Sequence, residues 1–206
     1  THKQIDRISK QGLKGLNFIL HKRTAAELGA PEGVNILLND LSFFPLLYWP
    51  LTKGFDYNNE EVAEKTLRYL RNGGTILFDA QERNFTRYGN DKIFRNIVKK
   101  LSPSKLVPIS SNHTLKKSFY LLNSFPGRWE GGPLLVNETA VALHDNVSSV
   151  IIGGNDWAGA WAIDNISYDP LYAVIPGGEL QRELAYRFGV NLVMSSISVW
   201  FPMLCL

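Results

Sequence analysis

The chain has 206 residues, 45% of them hydrophobic and 20% charged, which is the composition of a soluble globular protein and a length that suits one α/β domain. Its 22 Lys and Arg residues against 19 Asp and Glu residues give a formal net charge of +3, and no basic stripe is present, which argues against a nucleic-acid binder. The single cysteine, Cys205, excludes an intrachain disulfide and a cysteine-based metal site.

The first predicted element is an amphipathic helix from Gln4 to about Arg23. Its apolar residues recur near helical spacing, and the basic group 21–23 suits the carboxyl end of a helix dipole. These apolar residues are Ile5, Ile8, Leu13, Leu16, Ile19 and Leu20. We assign residues 1–30 to this helix and a linker, within one domain over 1–206 whose residues 195–206 form an atypical tail.

The second predicted element is a buried strand from Leu41 to Trp49. The segment is apolar and aromatic, and Pro45 indicates that the strand lies at an edge or contains a bulge. A helix follows, which Asn58 or Asn59 can cap and which ends near Gly73.

Short strands and helices alternate through the rest of the chain. Residues 75–79 predict a central strand, 90–101 a helix, and 178–197 a further amphipathic helix. Residues 140–143 and 147–152 are strand candidates, possible partners in an antiparallel pair. This alternation is typical of an α/β sheet.

Asp79 is a candidate site residue because it ends the predicted central strand. Doubly wound folds present binding and catalytic side chains at that position. An Asp there also closes a strand by accepting hydrogen bonds from the next turn, and it can pair with Arg83. Both interpretations stay open.

The most site-like segment is the run VIIGGNDWAGAW over residues 150–161, in which a strand breaks at two glycines. Asn155 or Asp156 can bind a ligand there, or can cap a short helix that carries Trp157 and Trp161 on one face. Tryptophans with that spacing are more often part of the core than a binding platform.

Two further segments carry candidate residues. Arg128 and Trp129 lie in a loop rich in turn formers, and both types are favoured in interfaces, although Arg128 can also pair with Glu130 on the surface. His113 lies in a polar loop without a second ligand at metal spacing. The chain has no nucleophile elbow, phosphate-binding loop, dinucleotide fingerprint or paired-His metal motif.

Five segments, taken together and in order, resemble the bacterial DUF4159 family, a domain of unknown function. They are LSFFPLLYWP (41–50), YLRNGGTILFDAQ (69–81), KSFYLLNSFPGRWEGGPL (117–134), GGNDWAGAWA (153–162) and PGGELQRELAYRFGVNLVM (176–194). The family's recurrent positions correspond here to Asp79, His113, Arg128, Trp129, Asn155, Asp156, Gly177, Gly178, Arg182 and Arg187, none with a role to carry over.

The resemblance implies a flavodoxin-like or class I glutamine amidotransferase-like three-layer sandwich with a mostly parallel sheet. It also implies the C-terminal part of a BatA-type membrane-anchored protein of the bacterial envelope, with this domain on the periplasmic side. The start at Thr1 without Met is what we expect of such a part. Fold likeness does not transfer the amidotransferase reaction.

We therefore expect a non-catalytic module that binds an unknown small ligand or an envelope protein. Its site would comprise a cleft near Asp79, Asn155, Asp156 and Trp157 and an exposed loop at 128–129. The alternative is a hydrolase or transferase with Asp79 or Asp156 as general base and His113 as acid. We expect no metal, cofactor or nucleic acid, and membrane contact only through other parts of the full-length chain.

Overall fold

The computed structural model describes residues 2–51, 59–80, 105–138 and 148–204. Two single turns of 3-10 helix, Leu41–Phe43 and Thr114–Lys116, accompany the helices and strands. In chain order the α-helices and strands are α1 (His2–Arg23), β1 (Leu46–Pro50), α2 (Glu60–Arg71), β2 (Thr75–Asp79), β3 (Leu106–Pro108), β4 (Leu135–Asn137), β5 (Val150–Gly153), α3 (Trp157–Trp161) and α4 (Gly178–Leu204).

The described strands form one mixed sheet in the order β1-β2-β5-β4-β3. β1, β2 and β5 are parallel, whereas β4 runs antiparallel to both β5 and β3. The expected α/β class is confirmed, but a mostly parallel sheet was expected and this one is only partly parallel. An antiparallel edge on a parallel centre is a common arrangement in large mixed sheets.

Successive side chains of β2 point to opposite faces of the sheet, and all five residues of β2 are buried. Helices therefore cover both faces of the sheet. Ile76 and Phe78 face one core cluster, which includes Tyr69 of α2. Leu77 faces the other cluster, to which α1, α3 and α4 contribute. Among the described helices, none combines the length and the hydropathy that a bilayer crossing requires.

The strand predicted from residue 41 begins later, at Leu46. Asp40 accepts a hydrogen bond from the backbone N–H of Ser42 and so caps a 3-10 turn in place of the first part of that strand. Of the two predicted caps of α2, the structure selects Asn59, which accepts from the N–H groups of Glu61 and Val62, and the helix ends at Arg71, two residues before Gly73. The predicted helix at 90–101 and strand at 140–143 lie outside the described residues.

The short helix α3 is the centre of the larger core cluster. All five of its residues are buried, including Trp157 and Trp161, so the core interpretation of the two tryptophans is confirmed. α1 crosses α3 closely at Gly12, where a Cβ atom would approach within 2.8 Å of the carbonyl carbon of Ala158. The absence of a side chain at Gly12 is therefore a packing requirement.

We expect Gly12→Ala to destabilise the protein by about 1–3 kcal/mol, the usual cost of overpacking. Helix propensity alone predicts the opposite sign, a gain of about 1 kcal/mol for Ala over Gly. Urea unfolding measures the difference. Gly29→Ala is the control, because nothing lies within 4 Å of a Cβ atom there. A stabilised Gly12→Ala protein would contradict this account of the α1 and α3 contact.

Candidate functional site

Asp79 lies fully buried at the carboxyl end of β2 and holds the amino end of α3. Its Oδ1 accepts from the backbone N–H of Asp156 at 3.1 Å, and its Oδ2 accepts from that of Trp157 at 2.7 Å. The hydroxyl of Tyr48 donates to Oδ2 at 2.8 Å. The carboxylate thus joins β1, β2 and the turn that follows β5.

Asp156 caps α3 from the left-handed backbone region, with φ 52° and ψ 59°. Asp adopts this region more readily than most residues with a Cβ atom. Its Oδ1 accepts from the N–H of Gly159 at 3.1 Å. Burial raises the pKa of Asp156, while the Gly159 hydrogen bond and the nearby Arg128 oppose that rise.

Arg128 forms the outer side of this arrangement. Its Nη1 lies 3.5 Å from Oδ2 of Asp156, and its Nε donates to the carbonyl of Ala173 at 3.4 Å. The guanidinium lies 4.9 Å from the ring centroid of Trp129 and 5.1 Å from that of Tyr172. Its side chain is 29% exposed, so the loop is half-buried where an exposed one was expected, and the ion pair joins Asp156, not Glu130.

Asn155 and Trp157 fix the loop that carries Arg128. The amide of Asn155 donates to the carbonyl of Phe125 at 2.7 Å and accepts from the N–H of Gly132 at 3.2 Å. The indole of Trp157 donates to the same carbonyl of Phe125 at 3.2 Å. Both side chains are buried, so they position the loop from beneath and are not open to a ligand.

Gln181, which no motif in the sequence marks as a candidate, fixes the loop from the other side. Its amide nitrogen donates to the carbonyls of Gly127 at 2.9 Å, Arg128 at 3.3 Å and Ile175 at 3.1 Å. Its amide oxygen accepts from the N–H of Gly177 at 2.8 Å. The only signal in the sequence is a Gln one turn after the Gly-Gly pair at which a helix begins.

We call the surface formed by Arg128, Trp129, Tyr172 and Ile175 the ledge. Trp129 and Ile175 are joined by a parallel β-bridge, and Ile175 is 43% exposed. Trp129 and Tyr172 are half-buried. The ledge therefore presents one cation among three partly exposed apolar groups, and it is the accessible part of the candidate site.

His113 is buried and lies elsewhere. Its Nδ1 accepts from the N–H of Leu115 at 3.2 Å, which assigns the ring proton to Nε2, 3.0 Å from Oγ of Ser148. The Ser148 hydroxyl in turn donates to the carbonyl of Asn137 at 3.1 Å. In this tautomer the imidazole donates to Ser148, so it is not placed to act as a base on that hydroxyl.

The sheet separates His113 from the carboxylates. Its partner Ser148 precedes β5, whereas Asp156 follows β5 and Asp79 ends the parallel neighbour β2. At about 3.3 Å per residue, β5 alone spans about 13 Å. The structure brings together Asp79, Arg128, Asn155, Asp156 and Trp157, with Trp129 alongside, and leaves His113 at the opposite edge. The proposed acid and base pairing therefore lacks the short contact that it needs.

Comparison with known proteins assigns the chain to a family. The sequence model of a family described as a domain of unknown function (DUF4159) matches residues 1–197. The chain belongs to the DUF4159 family. Every candidate residue of this DUF4159 domain falls within the match, which ends inside α4. No curated protein matches the chain.

In the described part of this DUF4159 domain, no group of three or more His, Cys, Asp or Glu side chains is placed to hold a metal ion. The family description names no activity, and a shared fold does not by itself determine a function.

We expect Asp79→Asn to lower the free energy of unfolding by about 2 kcal/mol, because hydrogen bonds to a buried charged group are each worth about 1.5–3 kcal/mol. The side-chain NH2 group of Asn is a donor, so it would face a backbone N–H group and accept no hydrogen bond from it. The measurement is urea unfolding. Asp164→Asn is the matched control, since Asp164 accepts from the N–H groups of Ile166 and Ser167 in an exposed turn. Equal losses in the two variants would refute a special role for the buried carboxylate.

His113 makes stability depend on pH. Burial, with a smaller contribution from Lys116, lowers the pKa of His113 from 6.5 to about 4. The unfolded chain therefore takes up the proton first as the pH falls. The contribution of neutral His113 to the free energy of unfolding is fully present above about pH 6.5. It is lost progressively as the pH falls towards 4, and the loss is at most about 3 kcal/mol.

His113→Asn tests this dependence, because Asn retains an acceptor for the Leu115 N–H but carries no titratable group. We expect a less stable protein at neutral pH with a flatter decline between pH 6.5 and 4, measured by urea unfolding at a series of pH values. Parallel curves for the two proteins would show that the decline has another source.

Proposed function

We propose that this DUF4159 domain is a non-catalytic interaction module that binds a partner protein at the ledge. One observation carries the proposal: the Arg128 guanidinium is partly exposed and held between two aromatic rings. The other candidate groups, Asp79, Asn155 and Trp157, are buried with hydrogen bonds to backbone. What remains for contact with another molecule is the ledge.

The residue types of the ledge support a protein partner. Arg, Trp and Tyr are the residues most often found to dominate binding energy in protein interfaces. Gln181 and Asn155 hold the backbone of the Arg128 loop, so binding would cost little ordering of that loop.

The partner's chemistry follows from the charge. Arg128 reaches Asp156 through a single contact at 3.5 Å, which leaves guanidinium donors for a second carboxylate. Ile175 offers an apolar surface beside it. The ledge therefore suits a segment in which an acidic residue stands next to an apolar one.

We further propose that the domain belongs to a BatA-type membrane-anchored protein of the bacterial envelope, on the periplasmic side, with a fold like that of class I glutamine amidotransferases. The family resemblance supports this context. The parallel order β1-β2-β5 with helices on both faces supports the fold, although β3 and β4 depart from it. The partner would then be another envelope protein.

Selection of a displayed random-peptide library against the domain tests the ledge. We expect enriched peptides to carry an acidic residue beside an apolar residue, and to bind Arg128→Gln about tenfold or more weakly than the unaltered protein. Binding is measured by fluorescence anisotropy with the enriched peptides.

The control is Arg71→Gln, which removes a guanidinium from the last turn of α2, outside the ledge. This variant is expected to bind the peptides as the unaltered protein does. Absence of enrichment, or enriched peptides that bind Arg128→Gln unchanged, would overturn the proposal.

A further inference from the structure

A cavity of about 330 Å³ lies at the edge of the sheet opposite the ledge. One wall is formed by the segment around Asp40 and Leu41, just before β1, and the other by Arg68 and Tyr69 of α2. The volume is at the lower end of the about 300–1,000 Å³ that small-molecule sites occupy. A volume in this range suits a small metabolite.

The two walls are held together before any ligand arrives. Lys65 of α2 donates to the carbonyl of Leu37 on the opposite wall. The hydroxyl of Tyr69 lies 2.9 Å from the carbonyl oxygen of Phe44 and 3.1 Å from that of Thr75. A preformed cavity of this kind costs little to order on binding.

The walls offer opposite charges. Oδ1 of Asp40 accepts from both the N–H and the hydroxyl of Ser42, at 2.9 and 2.7 Å, and these bonds lower the pKa of Asp40. Within the described part of the chain, its Oδ2 has no hydrogen-bond partner. The exposed guanidinium of Arg68 on the facing helix has neither a hydrogen bond nor an ion pair there.

Between these charges the cavity has an apolar floor. Leu41 and Tyr69 are both largely buried members of the smaller core cluster, and they reach the cavity from opposite walls. A ligand that satisfies all three features carries a cation, an anion and a short apolar group.

We infer that this cavity binds a small zwitterion, namely a free α-amino acid. Its ammonium group meets Asp40, its carboxylate meets Arg68, and its side chain lies against Leu41 and Tyr69. The site is separate from the ledge. Leu41, Asn72 and Gly74 precede the amino ends of β1 and β2, whereas the ledge lies beside Asn155 and Asp156, which follow the carboxyl end of β5. It stands or falls independently of the proposed interaction function.

Ligand-observed NMR titration of the protein with each common L-amino acid tests the inference. We expect at least one to bind, and its N-acetyl and carboxamide derivatives, which each lack one charge, to bind about tenfold or more weakly. Absence of binding by every amino acid would overturn the inference. Equal binding by either derivative would also overturn it, because the zwitterion would not be recognised.

Variants identify the site. Arg68→Gln and Asp40→Asn are each expected to weaken the binding amino acid by about tenfold or more. Their matched controls are Arg71→Gln in the same helix and Asp164→Asn, an exposed Asp that likewise accepts from nearby backbone N–H groups. The controls are expected to bind as the unaltered protein does. Unchanged affinity in Arg68→Gln and Asp40→Asn would place the amino acid elsewhere and refute the assignment.

Discussion

The burial of α3 is the constraint on which the arrangement of this domain depends. A five-residue helix leaves most of its backbone N–H and C=O groups without partners inside the helix, and burial removes water as an alternative. Asp79 accepts at the amino end. At the other end Arg182 donates to the carbonyl of Ala160 at 2.8 Å, and Tyr186 donates to that of Trp161 at 3.0 Å. β2 and α4 must therefore both meet α3.

This requirement explains why the strand ends look like an active site and yet offer little free polar chemistry. Asp79 is committed to backbone N–H groups that burial would otherwise leave unsatisfied, and Asn155 is committed to the loop that covers α3. Arg128 lies farther out, and its single contact with the buried Asp156 leaves part of the hydrogen-bonding capacity of the guanidinium unused. The polar groups at the strand ends are therefore buried, and the partly exposed polar group of the site is the Arg128 guanidinium on the ledge.

The sequence was most informative where local pattern decides structure. Periodicity predicted α1 and α4, and the two polar residues after the glycines predicted a cap for α3 at Asn155 or Asp156, of which the structure selects Asp156. Contacts between distant residues left no such pattern. Tyr172 packs on Arg128 from 44 positions away, and Ser148 bonds His113 across 35. The antiparallel pairing of β3 with β4 likewise could not be predicted, because two short apolar segments do not indicate which strand each will pair with.

The packing of Trp157 also bears on where a ligand can enter. Open α/β sheets usually hold ligands in a crevice beyond the carboxyl ends of their parallel strands. Here the indole ring of Trp157 lies so close to Gly153, the last residue of β5, that a Cβ atom there would overlap it. Tryptophan thus fills the space next to β5 that the crevice would need. The described cavity lies at the amino edge instead, where the segment before β1 stands apart from α2. The proposed contact with a protein therefore lies at the closed carboxyl edge of the sheet, and the proposed small-molecule site at its amino edge.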